Sequence, residues 1–593
     1  MSAGRAPAAP PDLEALRAQW LAQWPAALAC WSRFTKLSEP RWCFTAEDAQ
    51  REGLTQSFAM IRLDDHAVVV NLRLAAELNV QAFALEILAH EIGHHVYCPA
   101  DLTDNARIIA RIRWALPTKE HLAGLVSNLY CDLLINDRLQ RAHNLRMVGV
   151  YQALGQGASD RLWQLYMRTY EILWSQTRGS LVDAFQDDQL EGDAQLTARL
   201  VRHYARDWLD GAGKFAALCL PYLLDEKSQG ARWASGWRDM EQAGQGGFPS
   251  GLTEIEAGEK EGAVHPAYDP ELAGLDADPD ELKNDGRGAQ PSASAQAGGT
   301  RGQAREPFEF GQILKALGLK LTDHEIAVRY YRERAVPHLI PFPERKLPQA
   351  VDPLPEGLDT WDIGAPLEDV DWLHSVLVSP RVVPGLTTVQ RVWGESPGQE
   401  PEKEPLDLDL YVDCSGSMPN PQVSTSFLTL AGAIIALSAL RTGARVQATL
   451  WSGARQFLKT DGFVRDEAAV LRILTGYLGG ATAFPIHILR DTFQERHPPA
   501  RPAHILVISD DGVTTMFAKD EKGNSGWDIA RMALTNARGG GTFVLNLYQD
   551  WSKYPDLVKA AEMGWNLFVI RNWEELVKFA REFSRLKYGG DRV

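Results

Sequence analysis

A chain of 593 residues has room for about four domains of roughly 150 residues, or for two large ones and a linker. Apolar residues at 45% and charged residues at 23% are ordinary for a soluble globular protein, which excludes a disordered chain, a collagen and a disulfide-stapled miniprotein. Lys+Arg 61 against Asp+Glu 77 leaves a net charge of −16, and a general nucleic-acid binder needs a basic surface instead.

No apolar run approaches a bilayer span, Ala433 to Leu440 being only core-helix length. Met1 to Pro11 is rich in Ala and Pro and has no apolar signal core. Cys30, Cys43, Cys98, Cys131, Cys219 and Cys414 form no C-x-x-C pair. That favours reduced thiols and a cytoplasmic setting over a disulfide frame or a cysteine zinc site.

In chain order, Leu13, Leu16, Trp20, Trp24, Ala27 and Trp31 recur at helical spacing across 12–36, with a kink or break expected at Pro25. Phe58 to Leu63 and Ala67 to Leu72 read as two strands joined by Asp64, Asp65 and His66. A helix is predicted from Gln81 to Tyr97, stopping before Pro99, and another from Pro117 to Arg141. The basic residues Arg107, Arg111 and Arg113 read as a solvated face, and more helix follows to Leu224.

From Gln242 to Ala304 the chain is rich in Gly, Ala, Ser, Gln, Asp and Glu, which predicts a disordered acidic linker. Helix returns over 308–334, and Pro337, Pro341, Pro343, Pro348, Pro353 and Pro355 then argue against regular structure. The stretch Trp361 to Trp393 is expected to pack on the domain C-terminal to it. From Leu406, the apolar strands DLDLYVD, ARVQATLW, AHILVISD, GTFVLNLY and WNLFVI alternate with helices, predicting a doubly wound, Rossmann-like parallel sheet. The expected divisions are 1–235 (mainly helical, α+β), 236–305 (linker), 306–400 (connector packing on the last domain) and 401–593 (α/β).

Two motifs carry chemistry. LEILAHEIGHHVYCP contains H-E-x-x-H as His90, Glu91 and His94. Imidazoles four apart on a helix lie one turn apart on nearly the same face and can share one Zn²⁺. Glu91 can then serve as general base to an attacking water. A third ligand is needed. Asn128, Asp132 and Asn136 make a polar stripe at spacing four in the otherwise apolar run SNLYCDLLINDRL. Asp132 is the expected ligand, with Asn128 and Asn136 positioning it or its neighbours. His95, His121 and Asp137 are the rivals, and Gly93 leaves room for a neighbouring segment.

HEIGHH followed by N-x-x-x-D-x-x-I-N resembles the metallopeptidase domain, zincin-like in fold, that precedes von Willebrand factor A domains in bacterial proteins. The resemblance covers roughly 55–225 and implies fold and metal more than substrate.

The second motif is D-x-S-x-S, formed by Asp413, Ser415 and Ser417 where the first strand of the α/β half meets a loop. GGATAF adds Thr482, and ILVISDDGV adds Asp510 or Asp511, with strand register favouring Asp510. Ligands of such sheets bind beyond the carboxyl ends of the strands. The set resembles the metal-ion-dependent adhesion site of a von Willebrand factor A domain over 405–593. That resemblance implies Mg²⁺ held directly by Ser415 and Ser417, with Asp413, Thr482 and Asp510 acting directly or through water. It also implies a protein partner, a MoxR-type AAA+ ATPase, since the chain has no phosphate-cradling G-x-x-x-x-G-K-[ST] loop of its own. The expected function is a zinc-dependent peptidase acting on a peptide or protein and coupled to a Mg²⁺-dependent binding module. The alternative is a non-catalytic adaptor of the ATPase, with the zinc domain structural. No nucleic-acid or membrane partner is expected.

Overall fold

The computed structural model describes residues 12–54, 57–154, 160–183, 186–224, 240–241, 248–260, 262–273, 303–339, 351–397, 405–453, 455–494, 499–572 and 574–588. The chain divides into two compact units, Met1–Ile326 and Ala327–Val593.

The first unit opens with α1 (Leu13–Ala29), β1 (Arg41–Cys43), α2 (Ala46–Arg51), β2 (Ala59–Arg62), β3 (Val68–Asn71) and α3 (Leu72–Glu77). Pro25 sits inside α1 without ending it, and the helix buries Leu16, Trp20, Trp24 and Ala27. The predicted hairpin forms, with β2 and β3 antiparallel and His66 at φ 56° in their turn. The sheet order is β1-β3-β2-β4, where β4 is Met240–Glu241. β1 escapes a reading of the sequence because three residues show no alternation.

Next come α4 (Ala84–Val96), α5 (Leu102–Ala115), α6 (Ala123–His143), α7 (Met147–Leu154), α8 (Arg161–Leu173), α9 (Asp188–His203) and α10 (Trp208–Leu224). α6 is buried almost continuously from Ala123 to Leu139, its polar stripe of Asn128, Asp132 and Asn136 included. It packs against α4, α5, α8 and α10. Gly93 allows a close approach: a Cβ there would stand 2.5 Å from Trp31 and 2.7 Å from Ile135 of α6.

The interval expected to be a disordered linker lies partly outside the described residues, but 248–273 contains packed structure. Leu252, Ile255 and Leu272 are buried. Arg305 donates through Nε to the Leu252 carbonyl and through Nη2 to both Glu259 oxygens, at 2.8–2.9 Å. Arg107 and Arg111 each hold Glu256 at 2.9 Å, so this face of α5 is a dock for the segment and not a solvated surface. Composition hid this, because the few apolar anchors are spread among acidic residues whose arginine partners lie 145 positions upstream, as for Glu256 and Arg111, or 46 downstream, as for Glu259 and Arg305. α11 (Pro307–Ala316) also packs on α5 and belongs to the first unit, not to the connector.

The unit boundary falls within α12 (Asp323–Ala335). Beyond it, β5 (Val351–Thr360) and β6 (Val389–Pro397) form an antiparallel ribbon. The expectation that the prolines exclude regular structure fails at Pro353 and Pro355. A two-stranded ribbon is all edge, and edges tolerate proline. A register shift between Pro355 and Gly357 absorbs the mismatch.

The second unit is dominated by β7 (Asp407–Asp413), α13 (Phe427–Arg441), β8 (Val446–Trp451), β9 (Phe457–Lys459), α14 (Glu467–Leu474), α15 (Ile486–Thr492), β10 (Ala503–Ser509), α16 (Gly526–Ala537), β11 (Arg538–Asn546), α17 (Pro555–Glu562), β12 (Trp565–Ile570) and α18 (Glu575–Tyr588). The sheet order is β12-β11-β10-β7-β8-β9, parallel except for β9. β7, β8 and β10 are buried at every position, which requires cover on both faces. This is the expected doubly wound α/β sheet. β9, short and mostly exposed, is the strand the sequence did not announce.

Candidate metal centres

The first site is assembled by α4 and α6, whose crossing brings His90, His94 and Asp132 into one buried cluster. His90 Nε2 lies 3.2 Å from His94 Nε2. Asp132 Oδ1 lies 3.8 Å from the first and 3.5 Å from the second. Donors held about 2.0–2.1 Å from a tetrahedral zinc stand about 3.3 Å apart, so the triangle has the dimensions of one tetrahedral face.

The ring orientation follows from the outer hydrogen bonds. His90 Nδ1 lies 2.7 Å from Asn136 Oδ1, and His94 Nδ1 lies 3.2 Å from the Cys98 carbonyl. Both partners accept only, so each ring carries its hydrogen on Nδ1 and turns an Nε2 lone pair inward. Asn136 is itself oriented by donating through Nδ2 to the Tyr151 and Tyr170 hydroxyls, at 3.0 and 2.8 Å. Asn128 Nδ2 donates to Asp132 Oδ2 at 3.0 Å, leaving Oδ1 toward the histidines. Two lone pairs and a carboxylate oxygen meeting at these distances repel one another unless a cation or proton lies between them. The donor set fits a divalent zinc ion.

Glu91 follows His90 on α4 and lines the same cavity, about 40 Å³ in volume, with Ser57, Phe58, Asp132, Asn136 and Tyr151. That volume admits water but no peptide. The rivals for the third ligand lie elsewhere. His95 stacks on His66 at 3.9 Å between ring centroids, Asp137 holds Arg141, and His121 sits on the short turn before α6. The tyrosines went unread in the sequence. Their only signal is the i,i+4 pair Tyr166 and Tyr170, whose phenols burial and then neighbouring groups, Asp132 among them, push well above the usual range.

The second site lies where the strand order of the large sheet reverses, between the carboxyl ends of β7 and β10. Such a switch point opens a crevice. Asp413 ends β7, and its Oδ1 accepts from the Ser415 amide at 2.8 Å. Its Oδ2 accepts from Ser509 Oγ of β10 at 2.5 Å, a partner the motif did not contain. Ser415 Oγ and Ser417 Oγ are 3.2 Å apart. The Ser417 hydroxyl faces Asp510 closely enough to lower its carboxyl slightly.

Burial drives the Asp413 carboxyl up to about 6, against hydrogen bonds from Ser509 and Ser415 that pull it down, while Asp510 adds to the rise. Asp510, half-buried, is raised by burial first. Asp511 is exposed at the head of the following turn. Of the two aspartates left open by the motif, Asp510 is therefore the one in the crevice. The loop carrying Thr482 is laced to the motif by Gly416 N donating to the Gly480 carbonyl at 2.8 Å. Thr482 itself is exposed, with its methyl against Gly512, where a Cβ would come within 2.3 Å of it. The donors are hard oxygens with few full charges, a set that fits Mg²⁺.

No family model matches the chain, and no curated protein matches it. Among solved structures, it is similar to the conserved hypothetical protein BatB from Bacteroides thetaiotaomicron. Identity is 12%, with 30% of this chain and 98% of that one covered, at a TM-score of 0.21. An aerotolerance-related membrane protein from Bacteroides fragilis, carrying multiple mutations to serine, matches at 12% identity. There 30% of this chain and 99% of that one are covered, at a TM-score of 0.20. Likeness at this level fixes no activity. Among the described residues, no helix is long and apolar enough to cross a membrane.

Proposed function

We propose that the first unit is a zincin-like, zinc-dependent peptidase and the second a von Willebrand factor A module that binds a protein partner through Mg²⁺. The observation that carries the first half is the pair of imidazoles whose Nδ1 hydrogens are committed to carbonyl oxygens. They turn both Nε2 atoms on Asp132 Oδ1, beside Glu91 and a water-sized cavity.

In this reading His90, His94 and Asp132 hold zinc, which supplies Lewis-acid chemistry when bound. Glu91 accepts the proton of the attacking water at its carboxylate and returns it to the leaving amine. Asn136 and the Cys98 carbonyl keep the histidines in the ligating tautomer. Burial of all these groups keeps bulk water from competing for the proton.

In the second unit Asp413, Ser415, Ser417, Thr482 and Asp510 hold Mg²⁺. The resemblance to bacterial von Willebrand factor A proteins names a MoxR-type AAA+ ATPase as the partner, recognised through one of its carboxylates. One observation favours the adaptor alternative, in which the zinc site is structural: the cavity at Glu91 is too small for a peptide.

Metal analysis and a peptidase assay on wild type and Glu91→Ala decide between the two. The enzyme reading expects about one zinc per chain in both proteins and hydrolysis in wild type only. An adaptor keeps its partner-dependent activity in Glu91→Ala, and absence of zinc from wild type removes both readings of this site. For the second unit, Asp413→Ala is expected to abolish Mg²⁺-dependent ATPase binding, and equal binding with and without EDTA overturns the adhesion mechanism.

A further inference from the structure

Between β5 and β6 the chain makes an excursion, 361–388, expected from sequence to pack against the α/β domain. Trp361 and Val370 are buried, but the short helix Trp372–Val378 is not. It rests on β6 through its polar side. Ser375 Oγ accepts from the Val389 amide at 2.9 Å and donates to the Asp371 carbonyl at 2.7 Å. Asp371 caps the helix through the His374 amide and holds Arg391 at 2.7 Å.

The apolar side faces solvent. Trp372, Leu373, Val376 and Leu377, at spacings of one, four and five, are 50–72% exposed, and the preceding Ile363 and Leu367 are 77% and 67% exposed. A helix normally turns such a stripe inward. One seated by its hydroxyl and carboxylate and offering tryptophan and leucine to water has the layout of a recognition surface.

The charges around it select the occupant. Glu356, Asp359, Asp362, Glu368 and Asp369 are exposed on the ribbon and excursion. Against them stand Arg381 and Arg391, the latter held by Asp371. A second copy would set acidic rim against acidic rim, which is unfavourable. An anionic membrane would be repelled for the same reason. A segment carrying apolar side chains beside lysine or arginine satisfies both features at once.

We propose that this face docks a basic amphipathic helix of a partner protein, apolar side on Trp372, Leu373, Val376 and Leu377 and cations toward the acidic rim. The surface is separate from the Asp413 crevice, and docking here needs no divalent cation.

The test titrates full-length protein with an 18-residue amphipathic Leu/Lys peptide, in EDTA, and with a Leu/Glu peptide of the same pattern. The Leu/Lys peptide is expected to bind and the Leu/Glu peptide not to. Trp372→Ala with Leu377→Ala, and separately Glu368→Lys with Asp369→Lys, are each expected to weaken binding at least tenfold. Asp528→Lys with Glu582→Lys, exposed acidic positions on α16 and α18, outside the ribbon and its excursion, is expected to change it less than twofold.

All of these side chains are exposed, so the variants keep the fold, and circular dichroism checks that they do. Wild-type affinity in the Trp372/Leu377 variant overturns the proposal, as does equal weakening by the charge reversals on α16 and α18. A concentration-dependent dimer abolished by Trp372→Ala with Leu377→Ala assigns the face to a second copy instead. Capture by neutral phosphatidylcholine vesicles, lost in the same variant, assigns it to a membrane.

Discussion

Asn136 Oδ1 stands 2.7 Å from His90 Nδ1, across 46 residues of sequence and from one helix to another. The bond sets the tautomer of the first imidazole of the cluster, and Asn136 is itself set by two buried tyrosines. Orientation of the inward-facing nitrogen of the proposed zinc site thus depends on a residue outside the cluster of candidate ligands. Asn136→Ala is expected to lower zinc affinity about 10–100-fold. It also costs about 1–3 kcal/mol of stability by leaving the tyrosine hydroxyls short of a donor. Competition with a chromophoric chelator and thermal melting measure the two effects. Asn136→Asp, which keeps the acceptor, is expected to retain most of the affinity.

How much of this site the sequence disclosed depends on the range of the signal. His90, Glu91 and His94 are legible because a helix repeats every 3.6 residues and the candidate ligands fall within about one turn. Asp132 is legible because a polar stripe on an apolar helix demands buried partners. Tyr151 and the Cys98 carbonyl are not, since only the packing of α6 against α7, α8 and the end of α4 selects them. The large sheet announced itself through continuous apolar strands. The 248–273 segment did not, because its anchoring is by charge pairs 145 and 46 residues apart.

Gly93 is predicted to be irreplaceable despite lying inside a helix, where alanine is normally better by about 1 kcal/mol. A Cβ there would come within 2.5 Å of Trp31 and 2.7 Å of Ile135. Gly93→Ala is therefore expected to destabilise the first unit by about 1–3 kcal/mol through overpacking and to lower zinc affinity by separating α4 from α6. Denaturant melts with and without added zinc measure both.

Arg305 and Glu259 are both buried, and their ion pair ties the 248–273 segment to the helical core. Arg305→Ala leaves the Glu259 carboxylate in the interior and is expected to cost about 3–5 kcal/mol. Removing both charges, in Arg305→Met with Glu259→Leu, is expected to cost less than either single change. A double-mutant cycle by urea unfolding checks the order.

Asp409 of β7 gives the last prediction. It is fully buried, and desolvation pushes its carboxyl up to about 7, against the hydrogen bond from Gln447 Nε2 at 2.9 Å and that from Tyr411 at 3.1 Å. The unfolded carboxyl titrates near 3.9. Between about pH 4 and 7 the folded state therefore binds more protons than the unfolded state, and stability falls as pH rises. The neutral acid's contribution is full below about 4, and the penalty is complete above about 7. Asp409→Asn cannot ionise, and its amide can accept from Gln447 Nε2 through Oδ1 while donating through Nδ2 to the Tyr411 hydroxyl. The variant is thus expected to lie within about 1 kcal/mol of wild type at pH 4, where wild type holds the neutral acid. At pH 8, where wild type carries the buried charge, it is expected to equal or exceed wild type. The measurement is urea unfolding of both proteins at pH 4, 6 and 8 in EDTA, which removes any cation at the neighbouring Asp413. A constant difference across the three pH values would mean that Asp409 titrates alike in the folded and unfolded chains.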